Sequence, residues 1–367
     1  MLPHATVIVH TPHMNDAPFF LMRLLALLLP VHAPAVRAEA AQAEPSQAQT
    51  RELHEALRTA DMRIAATGFR LSTAAAALCD RLEPGTGIQL HTLAQYPPRS
   101  REAVRTHFGM AGSTVGVEGV VAGSPAEQAG IRADDTILRI GSIASPADLP
   151  AEASASVLET LHRQIAELPP AAPIEVVVRR DGTDLHLTVT PIPACRTRYE
   201  LRIADDFDAR ANGELIQITS KYVEEVDPAL FPAVVAHELA HNIMRHRDRL
   251  IAADASFGMA SGFGRNVGLF RQTEIEADIL SVHLLARAGY PPSLAARFWR
   301  ETGPRLLEGK FRSRSHPAFK DRVATIEREV ARFAASGSEP PALPAFYLNR
   351  NAPLSGDWQS LLVRAQR

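Results

Sequence analysis

Val234-Val235-Ala236-His237-Glu238-Leu239-Ala240-His241-Asn242-Ile243-Met244-Arg245-His246 is the stretch from which the rest of the chain is read. It contains H-E-x-x-H. Helical spacing puts His237 and His241, four residues apart, on one face. Two imidazoles so placed can hold one zinc ion, with Glu238 beside them in reach of a water on that ion. Val234, Val235, Leu239, Ala240, Ile243 and Met244 fill most other positions, so the helix is expected to be buried. Buried polar side chains cost free energy unless they are partnered, which makes a chance match a poor explanation of two histidines and a glutamate here.

The chain has 367 residues, 46% hydrophobic and 22% charged, enough for two domains or for one domain with an insertion. A formal net charge of −2 gives no sign of a nucleic-acid partner. Lysine occurs only at 221, 310 and 320, so the positive charge is nearly all arginine. Met22-Arg23, the apolar run Leu24–Leu29 and Val36-Arg37-Ala38 read as an export signal over residues 1–38, with Met22 as the expected true start. That places the protein in the periplasm or outside the cell. A retained shallow membrane anchor is the other reading. Residues 39–50 form a polar linker. Cys79 and Cys195 are either paired, as an oxidising compartment would favour, or two buried thiols.

Gln49 to Cys79 reads as one long helix, with Leu53, Leu57, Ile64 and Leu71 near helical spacing. Between Phe108 and Pro193 the texture turns β-rich. Val115–Val121 is a strand, and Asp181-Gly182 joins two further strands as a hairpin. G-S-P-A-x-x-A-G-I at 123–131 and D-x-I-L-x-I-G at 135–141 resemble a PDZ domain, expected over 107–193. The resemblance implies a site for C-terminal peptides, taken as an added strand, with a carboxylate-binding loop near His107-Phe108-Gly109-Met110. A β-module that binds nothing is the alternative. Asp134-Asp135 stands where such domains usually carry Gly-Asp. Beyond the module, Leu215–Thr219 is the candidate edge strand for substrate backbone, or a plain core strand.

Catalytic zinc usually takes three protein ligands. The H-E-x-x-H-x-x-G-x-x-H arrangement fails here, because Met244 and Arg247 occupy the required positions, and His246 is one residue short. Residues 271–289 read as a later helix with Glu274 and Asp278 on one face. One of these would bind metal while the other accepts a hydrogen bond from a ligand histidine. Glu276 faces elsewhere and is the weaker ligand candidate.

H-E-L-A-H at 237–241 followed by E-I-E-A-D at 274–278 resembles the M48 metallopeptidases, as do Ser315-His316-Pro317 with Asp321-Arg322. The resemblance spans 51–106 and 194–335, leaving 336–367 as a C-terminal extension. It implies an α+β chain: a mostly helical gluzincin protease domain with a small β-sheet, interrupted by the PDZ-like module. It further implies one zinc held by His237, His241 and Glu274. Glu238 would be general base and acid, and Asp278 the carboxylate bracing a ligand. His316 would stabilise the oxyanion, gate the site, or simply cap a helix. The expected substrates are unfolded or misfolded envelope proteins, in quality control. A latent protease working mainly as a peptide-binding chaperone is the alternative, and a narrow processing peptidase a third. The Gly-rich stretch Ala255–Gly268 between the two metal helices is either a mobile rim of the cleft or a tight-packing connection.

Overall fold

The computed structural model describes residues 47–305, 315–337 and 341–365. The leader read at 1–38 and the expected start at Met22 lie outside them. The 39–50 linker is described only where it enters the first helix, Gln47–Ala74. Two of the hydrophobic cores among the described residues are large. One gathers Ile64 and Leu71 of the first helix, Ile216 and Ile218, most of the motif helix, and Leu280 to Leu285. The other gathers Val115, Val117, Ile137, Leu158, Leu161 and Val176 to Val189.

The second core lies under a sheet whose strands run in the order Ile88–Thr92, Val115–Val120, Thr136–Ile140, Ile174–Arg180, Thr183–Val189, with the short Ile143–Ala144 added to the third. The helix Ser156–Ala166 covers it. Asp181 and Gly182 both take positive φ, 50° and 78°, as the two-residue hairpin requires. Asp134 has φ 68°, so aspartate does tolerate the left-handed backbone where a glycine is usual.

The module starts earlier than residue 107. Ile88–Thr92 is hydrogen-bonded to Val115–Val120 and forms one edge of the sheet. The helix Arg101–His107 packs beside it through Val104, Phe108 and Met110. The carboxylate loop is not at 107–110 either. Phe108 N–H donates to Val104, Met110 N–H to Arg105, and Ala111 N–H to the Thr136 hydroxyl. Those donors are spent inside the fold. Ile88–Thr92, one of the two edges of this sheet, is preceded by Gly85-Thr86-Gly87 and can accept an incoming strand.

The insertion leaves and rejoins the peptidase part through a ribbon of Leu82–Gly85 paired antiparallel with Ile192–Cys195. Cys79 and Cys195 are joined by a disulfide at this base, with Cα atoms 5.5 Å apart and a sequence separation of 116. Closing so long a loop restricts the unfolded chain, an effect of roughly 5 kcal/mol at most. Asp61 on the first helix accepts hydrogen bonds from Gln89 of the PDZ edge strand and from Leu201 N–H of the peptidase sheet, both at 3.1 Å, and so bridges the two parts.

The peptidase sheet has three strands in the order Ala209–Ala211, Leu215–Thr219, Arg198–Arg202. Leu215–Thr219 is central, antiparallel to one neighbour and parallel to the other. It therefore has no free edge for substrate. The cleft-side edge is Ala209–Ala211, three residues that the sequence reading passed over. The motif helix runs Phe231–Ile243, starting after a turn capped by Asp227 and with Pro232 in its first turn. Asn266–Arg287 packs against it as the carboxylate helix. Leu294–Glu301 and Phe319–Ala335 close the other side. The C-terminal extension folds back on the peptidase part: the Tyr347 hydroxyl donates to Leu78 O, Gly356 N–H to Gln272, and Leu354 is buried.

Candidate metal centre

Every residue of the motif helix except His241 is buried, because both flanks of the helix carry packed elements. His237 and His241 leave this helix toward the carboxylate helix and meet Glu274. Their Nε2 atoms are 3.2 Å apart. His237 Nε2 lies 3.6 Å from one Glu274 oxygen and His241 Nε2 lies 3.7 Å from the other. One ligand atom from each of the three falls within 4.8 Å of the others. Two imidazole nitrogens and a carboxylate oxygen, all reached from one side, are the donor set and geometry of an open zinc site, so the residues fit the metal that the spacing implies.

The three face a cleft of about 630 Å³ whose walls include Phe207, Asp208, Phe257, Phe270 and Phe319. Glu238 opens into it, and burial pushes its carboxyl up to about 7. Burial also opposes ionisation of Glu274. The charges of His316 and Arg322 and the bond from His237 nonetheless hold its carboxyl well below the usual range. That direction favours the carboxylate form a metal ligand needs. His316 stands at the mouth, half exposed, with Nε2 3.7 Å from Glu274. The Gly-rich stretch contributes a short helix, Gly258–Gly262, to the rim, and Phe257 beside it is 45% exposed.

Asp278 lies on the far side of His237, its Oδ1 3.2 Å from Nδ1, close enough to pair by charge although off the line of a hydrogen bond. Two residues hold it there. Arg322 donates from Nε at 2.6 Å and Nη2 at 2.7 Å, and Trp299 Nε1 donates at 3.1 Å. Arg322 also reaches Glu274 at 3.2 Å and stacks its guanidinium 3.6 Å from the Trp299 ring centroid. In the sequence Arg322 stands out only as part of Asp321-Arg322, and no spacing marks Trp299.

Residues 253–330 match the profile of Peptidase family M48, and residues 116–165 match that of the PDZ domain. The chain thus carries a stretch that matches the M48 metallopeptidases and, ahead of it, one that matches the PDZ domain. The matched M48 span holds Glu274, Asp278, His316 and Arg322, and the H-E-L-A-H pentapeptide lies just ahead of it. The chain is similar to the mitochondrial metalloendopeptidase OMA1 of Schizosaccharomyces pombe, 32% identical over 118 residues, which cover 26% of this chain and 34% of that protein. The chain thus matches about a third of that relative's length. Among solved structures, the crystal structure of the HtrA3 PDZ domain bound to a phage-derived ligand (FGRWV) aligns at 18% identity, with a TM-score of 0.24, over 31% of this chain and 90% of that one.

One part of the M48 centre departs from the helical projection. His246 is not on the motif helix. That helix ends at Ile243, Arg245 takes a left-handed backbone at φ 53°, and His246 opens a new helix, His246–Ala252. The reversal folds its ring under His241, with the two Nδ1 atoms 2.9 Å apart. Glu276, set aside as a ligand candidate, meets the other side of that ring at 3.0 Å.

Proposed function

We propose that the chain is an exported zinc endopeptidase that hydrolyses peptide bonds of unfolded or misfolded envelope proteins. The observation that carries this is the convergence of His237, His241 and Glu274 in one cleft with Glu238 beside them. Bound by these three residues, zinc would supply Lewis acidity toward water and toward a substrate carbonyl. Glu238, whose carboxyl is poised near neutrality by burial, accepts the proton from the attacking water and passes it to the leaving amide nitrogen. His316 is placed at the mouth to donate a hydrogen bond from Nε2 to the developing oxyanion. Ala209–Ala211 offers the free sheet edge on which an extended substrate backbone would lie. Exposed Phe257 and Phe263 suit apolar side chains of an unfolded chain.

The disulfide supports an oxidising compartment, in keeping with the leader read at 1–38. Among the described residues no helix is long and apolar enough to cross a membrane. C-terminal peptides are the proposed partners of the PDZ domain. The cavity beside its edge strand is only about 120 Å³ and is bounded across from Ile88 and Leu90 by Phe69, Ser72 and Tyr199 of the peptidase part. A docking peptide must therefore part the two, which makes regulation a better reading than passive tethering. A latent enzyme is the second reading, favoured by His316 standing against Glu274 where it could occupy the open metal position.

The test is metal removal. Treatment with 1,10-phenanthroline is expected to abolish cleavage of unfolded casein, and added zinc to restore it. Undiminished cleavage by the metal-free protein would overturn the proposal.

A further inference from the structure

Metal-binding histidines need their second nitrogen fixed, because the ring otherwise rotates or carries its proton on the wrong side. His237 has Asp278 for this purpose. His241 has no carboxylate against its Nδ1. It has another imidazole, that of His246.

We infer that His246 and Glu276 form a relay that fixes His241 in its metal-binding tautomer, an inference that rests on the zinc reading above. The protons can be placed in one consistent way. His241 must present a bare Nε2 to the metal, so its proton sits on Nδ1 and is donated to His246 Nδ1, 2.9 Å away. His246 Nδ1 is then the acceptor, which leaves its own proton on Nε2, donated to Glu276 Oε2 at 3.0 Å. Glu276 is fixed in turn by Arg249 Nη1 on the same oxygen at 2.7 Å and by Gln272 Nε2 on the other at 2.7 Å. His246 and Glu276 are 2% and 0% exposed, so water offers the two groups no alternative partners. The two ring centroids are 4.8 Å apart with an interplanar angle of 77°.

The relay also gives the left-handed Arg245 a purpose. A helix continuing past Ile243 would carry residue 246 away from His241. The turn at Arg245 brings it back underneath. The centre is thus braced asymmetrically: an aspartate directly behind one ligand, a glutamate behind the other through an intervening ring.

His246 is a positioning residue, and two replacements separate that role from simple space filling. In His246→Asn, Oδ1 can stand where Nδ1 stood and accept from His241, but the ring volume is lost. In His246→Phe the volume is kept and the acceptor is lost. Zinc affinity of the full-length protein is measured by competition with a chromophoric chelator, and the Co(II)-substituted protein is followed by its visible spectrum. Thermal melting of the metal-free form reports folding. The relay predicts that His246→Phe weakens zinc binding about 10- to 100-fold and alters the Co(II) bands, while His246→Asn stays within a few-fold of wild type. Wild-type affinity and spectrum in His246→Phe would overturn the relay, as would weaker binding by Asn than by Phe. Wild-type protein that binds no zinc would instead overturn the metal reading on which the relay rests.

Discussion

Replacing Glu238 by glutamine is expected to reduce cleavage of an unfolded protein by roughly 10²–10⁴-fold, the usual contribution of a positioned general base, while leaving the zinc content unchanged. The side chain keeps its shape and loses only its ability to take a proton. It touches none of the three ligand atoms that converge within 4.8 Å, so the metal should remain. Initial rates on casein for wild type and Glu238→Gln, with zinc content measured on the same samples, check this. Full activity in the variant would remove Glu238 from the mechanism. Loss of both activity and zinc would make it a structural member of the site.

The second large effect is expected at Arg322. This guanidinium is 1% exposed and makes two bonds to Asp278, a contact to Glu274 and a stack on Trp299. Arg322→Met keeps most of the apolar volume but leaves Asp278 and Glu274 without their shared cation. Removing one partner of a buried ion pair typically costs about 3–5 kcal/mol, because the remaining charge stays buried without compensation. For a unit of this size that is a fall in melting temperature of roughly 6–20 °C. Adding Asp278→Asn to Arg322→Met should recover part of the loss, since the uncompensated charge is then gone. An unchanged melting curve for Arg322→Met would show that Asp278 does not depend on the arginine.

The residues of the metal centre were legible where helical periodicity was enough. His237 and His241, and Glu274 and Asp278, are each spaced by four, and each helix carries an apolar stripe that identifies its buried side. The exclusion of His246 as a ligand stands, since it is not in the cluster of His237, His241 and Glu274. Its place beneath His241 was not legible, because nothing about an arginine at 245 announces a left-handed backbone that ends the motif helix. Glu276 was set aside by helical projection, and its purpose appears only once His246 lies beneath His241. Arg322 and Trp299 come from two further helices, and no spacing rule links them to Asp278.

The PDZ hairpin and the strand at Val115 were readable from turn chemistry and alternation. The edge strand Ile88–Thr92 falls in the span 51–106 expected to belong to the peptidase part, because its partner lies beyond Pro97-Pro98 and the helix Arg101–His107. Ala209-Arg210-Ala211 is too short and too mixed in character to signal a strand alone. It becomes one only because Leu215–Thr219 pairs with it.

The central claim is that His237, His241 and Glu274 together hold one zinc ion. Elemental analysis of the purified protein, beside that of Glu274→Ala, tests it most directly. The expected result is one zinc per wild-type chain and a large loss of bound zinc in the variant at matched concentration and folding. A wild-type chain without zinc, or a Glu274→Ala chain that retains it fully, would contradict the assignment.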